Sequence, residues 1–356
     1  MSDWNRRDFL RGTGLILGSA ALPLELLAAS WPARPITAFG ATPVGGGVDK
    51  VARSLTPLME PRLNNATINN VNKPGATGTV AGAYVLAQPA DGYSWLFTGS
   101  FMRGTRAMGL TSAMPYTDWQ YFGADTSIAS VAVLPDSPIK DMEDLIRKAK
   151  DNPGKLRMAT DGLGGTWYLA ASLMMQMSGT NFRLVPYNDG GAAQTGALKG
   201  EVDVTLNGVH EQLEFLIAGR FRNLCAFTDK TLETRGQKLK PVTDFVPRLK
   251  GKTPVGGGVS MSIRRDTDPG ILRQIAGAWV AGINSKEFRE IESKKSRFPD
   301  PVVGADADKR ATLWEVTAAN LLHTVGKSKK SPKDLGLPSI EEFDNWWPPK
   351  GYKPRI

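Results

Sequence analysis

Hydrophobic and polar positions along residues 156–227 fall into short blocks whose period switches between two and about three and a half. Apolar runs suited to strands stand at "LRMA" (156–159), "FRLVPY" (182–187), "VDVTL" (202–206) and "RNLCAF" (222–227). Between them lie "TWYLAASLMMQM" (166–177), "GAAQTGALKG" (191–200) and "EQLEFLIAG" (211–219), where apolar residues recur at helical spacing. Strands that alternate with short helices predict βαβ units and a parallel sheet. The start of the chain follows the same logic. "PITAFGA" (35–41) reads as a strand, a glycine run follows, and 49–63 reads as a helix with Val51, Ala52, Leu55, Leu58, Met59 and Leu63 on one face. Pro57 and Pro61 predict a kink or a second short segment there. A helix is expected over 79–88, a strand over 92–100, and a helix within 137–155 that Asn-Pro-Gly closes. Past residue 230 the pattern weakens: loop and strand over 252–269, helices over 269–294, and another over 305–325. The tail "DNWWPPKGYKPRI" has no regular period.

Residues 1–30 read differently. "NRRDFLRGTG" (5–14) places an arginine pair ahead of the apolar run 15–30, which ends in small residues. A charged start, a short apolar stretch and an A-x-S-like site at Ala28–Ser30 are the layout of an export signal. Arg6-Arg7 before Asp8-Phe9-Leu10 resembles a twin-arginine signal. The run falls short of the roughly 20 residues that span a bilayer, and Pro23 and Glu25 interrupt it. The expectation is export to the periplasm with cleavage near Ser30.

Composition adds limits. With 356 residues, 41 % of them hydrophobic, the chain can bury a sizeable core and suggests two domains. The formal net charge of +9 is concentrated in residues 229–356, where acids lie among the lysines. That pattern reads as a solvated basic surface, not as a nucleic-acid face. Cys225 is the single cysteine, so no internal disulfide forms, and its apolar run marks it as a buried small hydrophobe.

Five stretches rich in glycine or small polar residues follow a strand and open a helix: 42–49, 98–101, 160–167, 187–192 and 207–210. In open α/β sheets such loops lie at the carboxyl ends of strands, where ligands bind. A helix start offers unpaired N–H groups and the positive end of a dipole, and so receives an anion without a lysine. Sharper motifs fail. "VGGGVDKVA" lacks the P-loop spacing, and "GLGGTW" puts Trp167 where a dinucleotide fingerprint needs glycine. His210 and His323 stand far apart, with no nucleophile elbow and no metal-ligand spacing. No cofactor or metal is expected, and an enzyme is disfavoured.

"WPARPITAFGATPVGGGVDKVARSL", "NKPGATGTVAGAYVLAQPADGYSWLF", "NPGKLRMATDGLGGT", "VPYNDGGAA" and "LKGEVDVTLNGV" together resemble the successive signature stretches of the substrate-binding proteins of tripartite tricarboxylate transporters (the Bug type). The order is kept from residue 31 to about 230. The resemblance implies a bilobed type II periplasmic-binding-protein fold, α/β with two mixed or parallel-sheet domains and a ligand cleft at the hinge. Domain 1 would hold 31–128 plus 254–356, and domain 2 would hold 129–253. It implies a receptor, monomeric and without a nucleic-acid partner, that captures a small organic carboxylate and delivers it to membrane permease subunits.

By the same resemblance the ligand would meet Thr42, Pro43, Gly45, Gly46, Gly47 and Asp49 in the first loop, and Ser100 after the strand over 92–100. From the other lobe it would meet Asp161, Gly162, Gly164, Thr166, Trp167 and Tyr168, then Asn188, Asp189 and Asn207. This chain departs from the family pattern where serines and a histidine are usual: Gly165, Trp167 and Tyr168 stand there, Asp161 is added, and Asn188 and Asp189 replace a lysine and a glycine. Two more carboxylates would repel a dicarboxylate, since unit charges ~4 Å apart at intermediate dielectric interact by about 4 kcal/mol. The expected ligand therefore has one carboxylate, or an amide or amino group at its other end, with a ring placed to stack on Trp167. The competing reading is that the two aspartates point to solvent or cap helices. An exported sensor or scaffold working through a protein partner is the competing function, resting on Trp346, Trp347 and Tyr352 in the tail.

Overall fold

The computed structural model describes residues 31–250, 252–253 and 255–356, so the expected export signal lies outside the described residues. The predicted alternation is present. The strands β1 (Ile36–Gly40), β2 (Ile68–Asn72) and β3 (Ser94–Gly99) flank the helices α1 (Gly47–Met59) and α2 (Thr79–Leu86). Pro57 lies inside α1, and the helix gives way to a 3-10 turn at Glu60–Arg62, which accounts for the expected break. Then come β4 (Trp119–Val133), α3 (Met142–Asp151), β5 (Arg157–Thr160), α4 (Thr166–Ser178), β6 (Arg183–Pro186) and α5 (Gly190–Leu198). β7 (Val204–Gly208), α6 (Val209–Ile217) and β8 (Arg222–Ala226) complete that series. A small hairpin, β9 (Leu232–Thr234) and β10 (Gln237–Leu239), precedes β11 (Gly256–Gly257) and β12 (Val259–Arg264). The chain ends with α7 (Pro269–Ile283), α8 (Lys286–Lys294), β13 (Phe298–Val302), α9 (Gly304–Thr324) and α10 (Phe343–Trp346).

β4 organises the rest. Its first part, Trp119–Gly123, pairs antiparallel with β12, which leads through β3 to the parallel strands β1 and β2. Its last part, Ala129–Val133, lies between β7 and β8, and β7 continues in parallel to β5 and β6. One strand of 15 residues thus belongs to two half-sheets of a bilobed α/β molecule. The strand was not anticipated, because it is buried on both faces and so lacks the alternation that marks a half-exposed strand. β2 was also missed: its asparagines mask the apolar positions Ile68 and Val71.

Two cores follow from this division. Val51, Leu55 and Met59 on one face of α1 pack with Leu272, Trp279 and Phe288 in the first. The fully buried Trp279 also donates its indole N–H to the Gly123 carbonyl at 2.8 Å, which ties α7 to β4. The second core gathers Met158, Leu173, Leu206 and Cys225, and it takes in Val316, Leu322 and Phe343 from the C-terminal segment. The tail is a strap. The Trp347 and Tyr352 rings lie 4.9 Å apart, the Tyr352 hydroxyl donates to Asp308 at 2.9 Å, and Arg265 donates to the Lys353 carbonyl at 2.9 Å. Its aromatics are spent on the protein's own surface, which removes the feature that favoured a scaffold.

A second glycine triplet, Gly256–Gly258, carries the chain across β4. Gly256 and Gly257 pair with Ile128 and Ser127, and a Cβ on Gly256 would overlap the Ser127 carbonyl oxygen. Only a residue without a side chain allows that approach. Gly256→Ala is therefore expected to lower stability by about 2 kcal/mol or more, read as a lower urea midpoint. An unchanged midpoint would show that the two strands separate freely at this point.

Candidate functional site

The loops expected to hold the ligand are knitted up by the chain's own carboxylates. In the first loop Asp49 reaches back from the opening turn of α1. It accepts the Gly45 N–H at 2.8 Å, the Asn72 amide at 2.9 Å and the Arg53 guanidinium at 2.8 Å. Burial pushes its carboxyl up, but these donors outweigh burial and hold it below the usual carboxylate range. Gly45 has φ +80°, which the tight reversal into α1 requires, and the Gly46 N–H bonds to the Pro43 carbonyl at 3.1 Å. Pro43 and Gly47 are exposed, whereas the Thr42 hydroxyl is buried without a partner.

In the second half-sheet Asp161 caps α4, accepting the Trp167 N–H at 3.0 Å and the Tyr168 N–H at 2.9 Å. Its carboxylate stands where an incoming anion would meet that helix start. Asp189 does the same for α5, accepting the Ala192 N–H at 2.7 Å, and Asn188 beside it is exposed. The capping reading thus holds for both aspartates. Asn207 is fully buried and holds two loops together, donating to the Gly190 carbonyl and accepting the Gly208 N–H, each at 2.9 Å. Trp167 is a core residue at 5 % exposure, its ring 6.0 Å from His210, and does not present a face for stacking. Tyr168 is buried as well. Gly162 lies beside the Tyr187 carbonyl, and Gly164, with φ +75°, is seated where a Cβ would touch Leu322 and Met108.

Behind these loops lies a titratable cluster that the sequence did not suggest, apart from His210. The Ser127 hydroxyl and His210 Nδ1 are 2.6 Å apart. Desolvation and then the Arg297 charge lower the imidazole pKa to about 3, so His210 stays neutral. Arg297 pairs with Asp125 and with Glu292, all three buried. Desolvation raises the Glu211 carboxyl to about 7 despite the Gly208 N–H, with the Asp161 charge adding to the rise. Asp161 is itself raised to about 6 by desolvation, against its capped N–H groups.

Of the expected residues, Ser100 and Thr166 are brought together across the two half-sheets, their hydroxyl oxygens 2.6 Å apart. They border a cavity of about 340 Å3 between α4 and α9. Leu169, Ala170 and Leu173 of α4 line one side, and Arg310, Leu313 and Trp314 of α9 the other. A smaller space of about 100 Å3 adjoins it, and Ser100, Arg103 and Trp314 border both. Arg103 and Trp314 are far apart in sequence and carry no motif, so nothing in the sequence pairs them. Among the described residues no cluster of three His, Cys, Asp or Glu side chains is placed to hold a metal ion, and no helix is long and apolar enough to cross a membrane.

Two lobes share β4 and border a cavity between α4 and α9. The comparisons specify the family. Residues 51–308 match the model of the tripartite tricarboxylate transporter family receptor, and the chain belongs to that family. A Pseudomonas sp. (strain P51) protein of the UPF0065 group is 29 % identical over 228 residues, covering 63 % of this chain and 67 % of its own length. A Cupriavidus necator UPF0065 protein is 26 % identical and covers 83 % and 90 %. Among solved structures, a TctC solute-binding protein from Polaromonas superposes with a TM-score of 0.69 at 21 % identity, covering 83 % of this chain and 99 % of its own. The R. palustris protein Rpa4515, solved with adipate, gives 0.67 at 22 % identity, covering 83 % and 98 %. MatC from Rhodopseudomonas palustris, solved with malate, gives 0.64 at 18 % identity, covering 83 % and 100 %.

The cluster sets a pH dependence. Glu211 has an ordinary pKa of 4.5 and a folded value of about 7, so between these the folded state holds a proton that the unfolded state has lost. Its contribution falls as pH rises through that window, whereas His210, lowered to about 3, contributes in the opposite sense. Glu211→Gln is expected to gain on the parent protein by about 1–3 kcal/mol between pH 4 and pH 8, read from melting temperatures at each pH. A difference independent of pH would mean that Glu211 ionises normally.

Proposed function

We propose that this chain is an exported, monomeric receptor that captures a small organic carboxylate between its lobes and delivers it to a tripartite tricarboxylate-type permease. The observation that carries the reading is the hydroxyl contact between Ser100 and Thr166, which joins the two half-sheets over a cavity lined by both. Family membership supports it, as do adipate and malate in proteins of the same fold. The lobes divide at residues 31–128 plus 254–356 and 129–253, with β4 and β11 as the two crossings. The layout of residues 1–30 supports export to the periplasm by the twin-arginine route.

The ligand carries one carboxylate. Asp161 and Asp189 already occupy the helix starts at which a second acid group would be received, and ionised aspartates there repel it. The buried Trp167 withdraws the stacking ring from this picture, so an aromatic ligand has no special claim. Native mass spectrometry of the protein from bacterial periplasm tests the reading: an adduct that leaves on denaturation and matches a small carboxylic acid is expected. In a melting-shift panel monocarboxylates should raise the melting temperature and succinate should not. Micromolar succinate binding would overturn the single-carboxylate assignment, and a bare mass with a flat panel would overturn the receptor reading.

A further inference from the structure

The cavity between α4 and α9 is bordered by a guanidinium with two nitrogens that have no partner among the described residues. Arg103, in the short helical turn Ser100–Gly104, lays its guanidinium over the Trp314 ring, with Cζ 3.3 Å from the ring centroid. Its Nη1 donates to the Gly256 carbonyl at 3.0 Å, in the strand that crosses β4. Nε and Nη2 are shut off from solvent and have no hydrogen-bond partner. The neighbouring arginines each have a carboxylate: Arg106 pairs with Glu315 at 2.6 Å, although its Nε has no partner, and Arg310 pairs with Asp300 at 2.5 Å. A buried guanidinium with two idle donors is costly unless something anionic joins it. Burial lowers its pKa to about 9, with the Arg310 charge acting in the same direction and Tyr121 against it.

We infer that Arg103 is the anion anchor of the receptor site, and that the ligand is a monocarboxylate with an apolar body lying between α4 and α9. This rests on the receptor reading and places the acid group away from the glycine loops. The forked guanidinium presents Nε and Nη2 side by side, which suits the two oxygens of one carboxylate. Leu169, Leu173, Leu313 and Phe343 furnish apolar wall beyond it, where a second charge would lose its hydration; Lys252 and the Arg310–Asp300 pair stand elsewhere on the border. The Trp314 ring holds the guanidinium plane from one side, so the anion approaches from the edge.

The test is calorimetric titration of the full chain, purified from periplasm and stripped of adduct, with hexanoate, hexanamide and adipate. Hexanoate is expected to bind, hexanamide not to bind, and adipate to bind at least about tenfold more weakly than hexanoate. Arg103→Met, which keeps an unbranched side chain over Trp314, should weaken hexanoate by about 10- to 100-fold. Arg103→Lys, which keeps the charge and loses the fork, should recover part of that loss and separates loss of charge from misfolding. Equal hexanoate affinity in the parent and in Arg103→Met overturns the anchor and leaves the receptor reading standing. An adduct seen by native mass spectrometry, with no binding of any monocarboxylate from acetate to octanoate, overturns the ligand class alone. No adduct and no binding of any kind counts against the receptor reading itself.

Discussion

The first N–H groups of a helix have no partner within it, and a buried helix start must find an acceptor from somewhere. This chain meets the requirement from its own sequence. Asp161 serves α4 and Asp189 serves α5, while Asp49 folds back from α1 onto the Gly45 N–H in the loop before the helix. Each carboxylate also complements the positive end of its helix dipole. The same loops in a receptor of this fold are natural places for a ligand's acid group, and here negative charge is already installed. A further demand lies at Arg103, where two nitrogens have no hydrogen-bond partner among the described residues.

A shared strand ties that demand to the architecture. Because β4 runs through both half-sheets, the segment around Asp125–Ile128 is where backbone, charge cluster and cavity converge. Asp125 accepts the Val259 N–H at 2.6 Å and pairs with Arg297, while Ser127 holds His210 and faces Gly257 across the crossing. Arg103 bonds to the carbonyl of Gly256 in the crossing strand.

Much of the fold was legible because most of its strands and helices carry periodic signals. The series from 156 to 227 alternates cleanly, and its glycines and Asn-Pro-Gly mark the ends. β4 was not legible for a physical reason: a strand buried on both faces has no polar side to alternate with. The site was legible only as a set of loops. Thr166 and Ser100 do meet, but Asp49, Asp161, Asp189 and Asn207 turned out to bind backbone, a role that local sequence shares with ligand contact. Arg103 and Trp314 were missed because they meet only through the fold, as do Arg297 and Asp125, and no spacing rule links either pair.

The Trp167 indole fills the loop region with apolar volume and packs beside His210. Glu211 and His210, enclosed with it, are driven towards their neutral forms by desolvation. The interior behind these loops is packed, with His210 neutral and the charge held in the Arg297, Asp125 and Glu292 group. A ligand is thereby displaced towards α4 and α9, where Thr166 marks the edge of the old loop and Arg103 supplies the charge. Specificity in such a receptor follows less from which donors its loops contain than from which of them the chain has already satisfied.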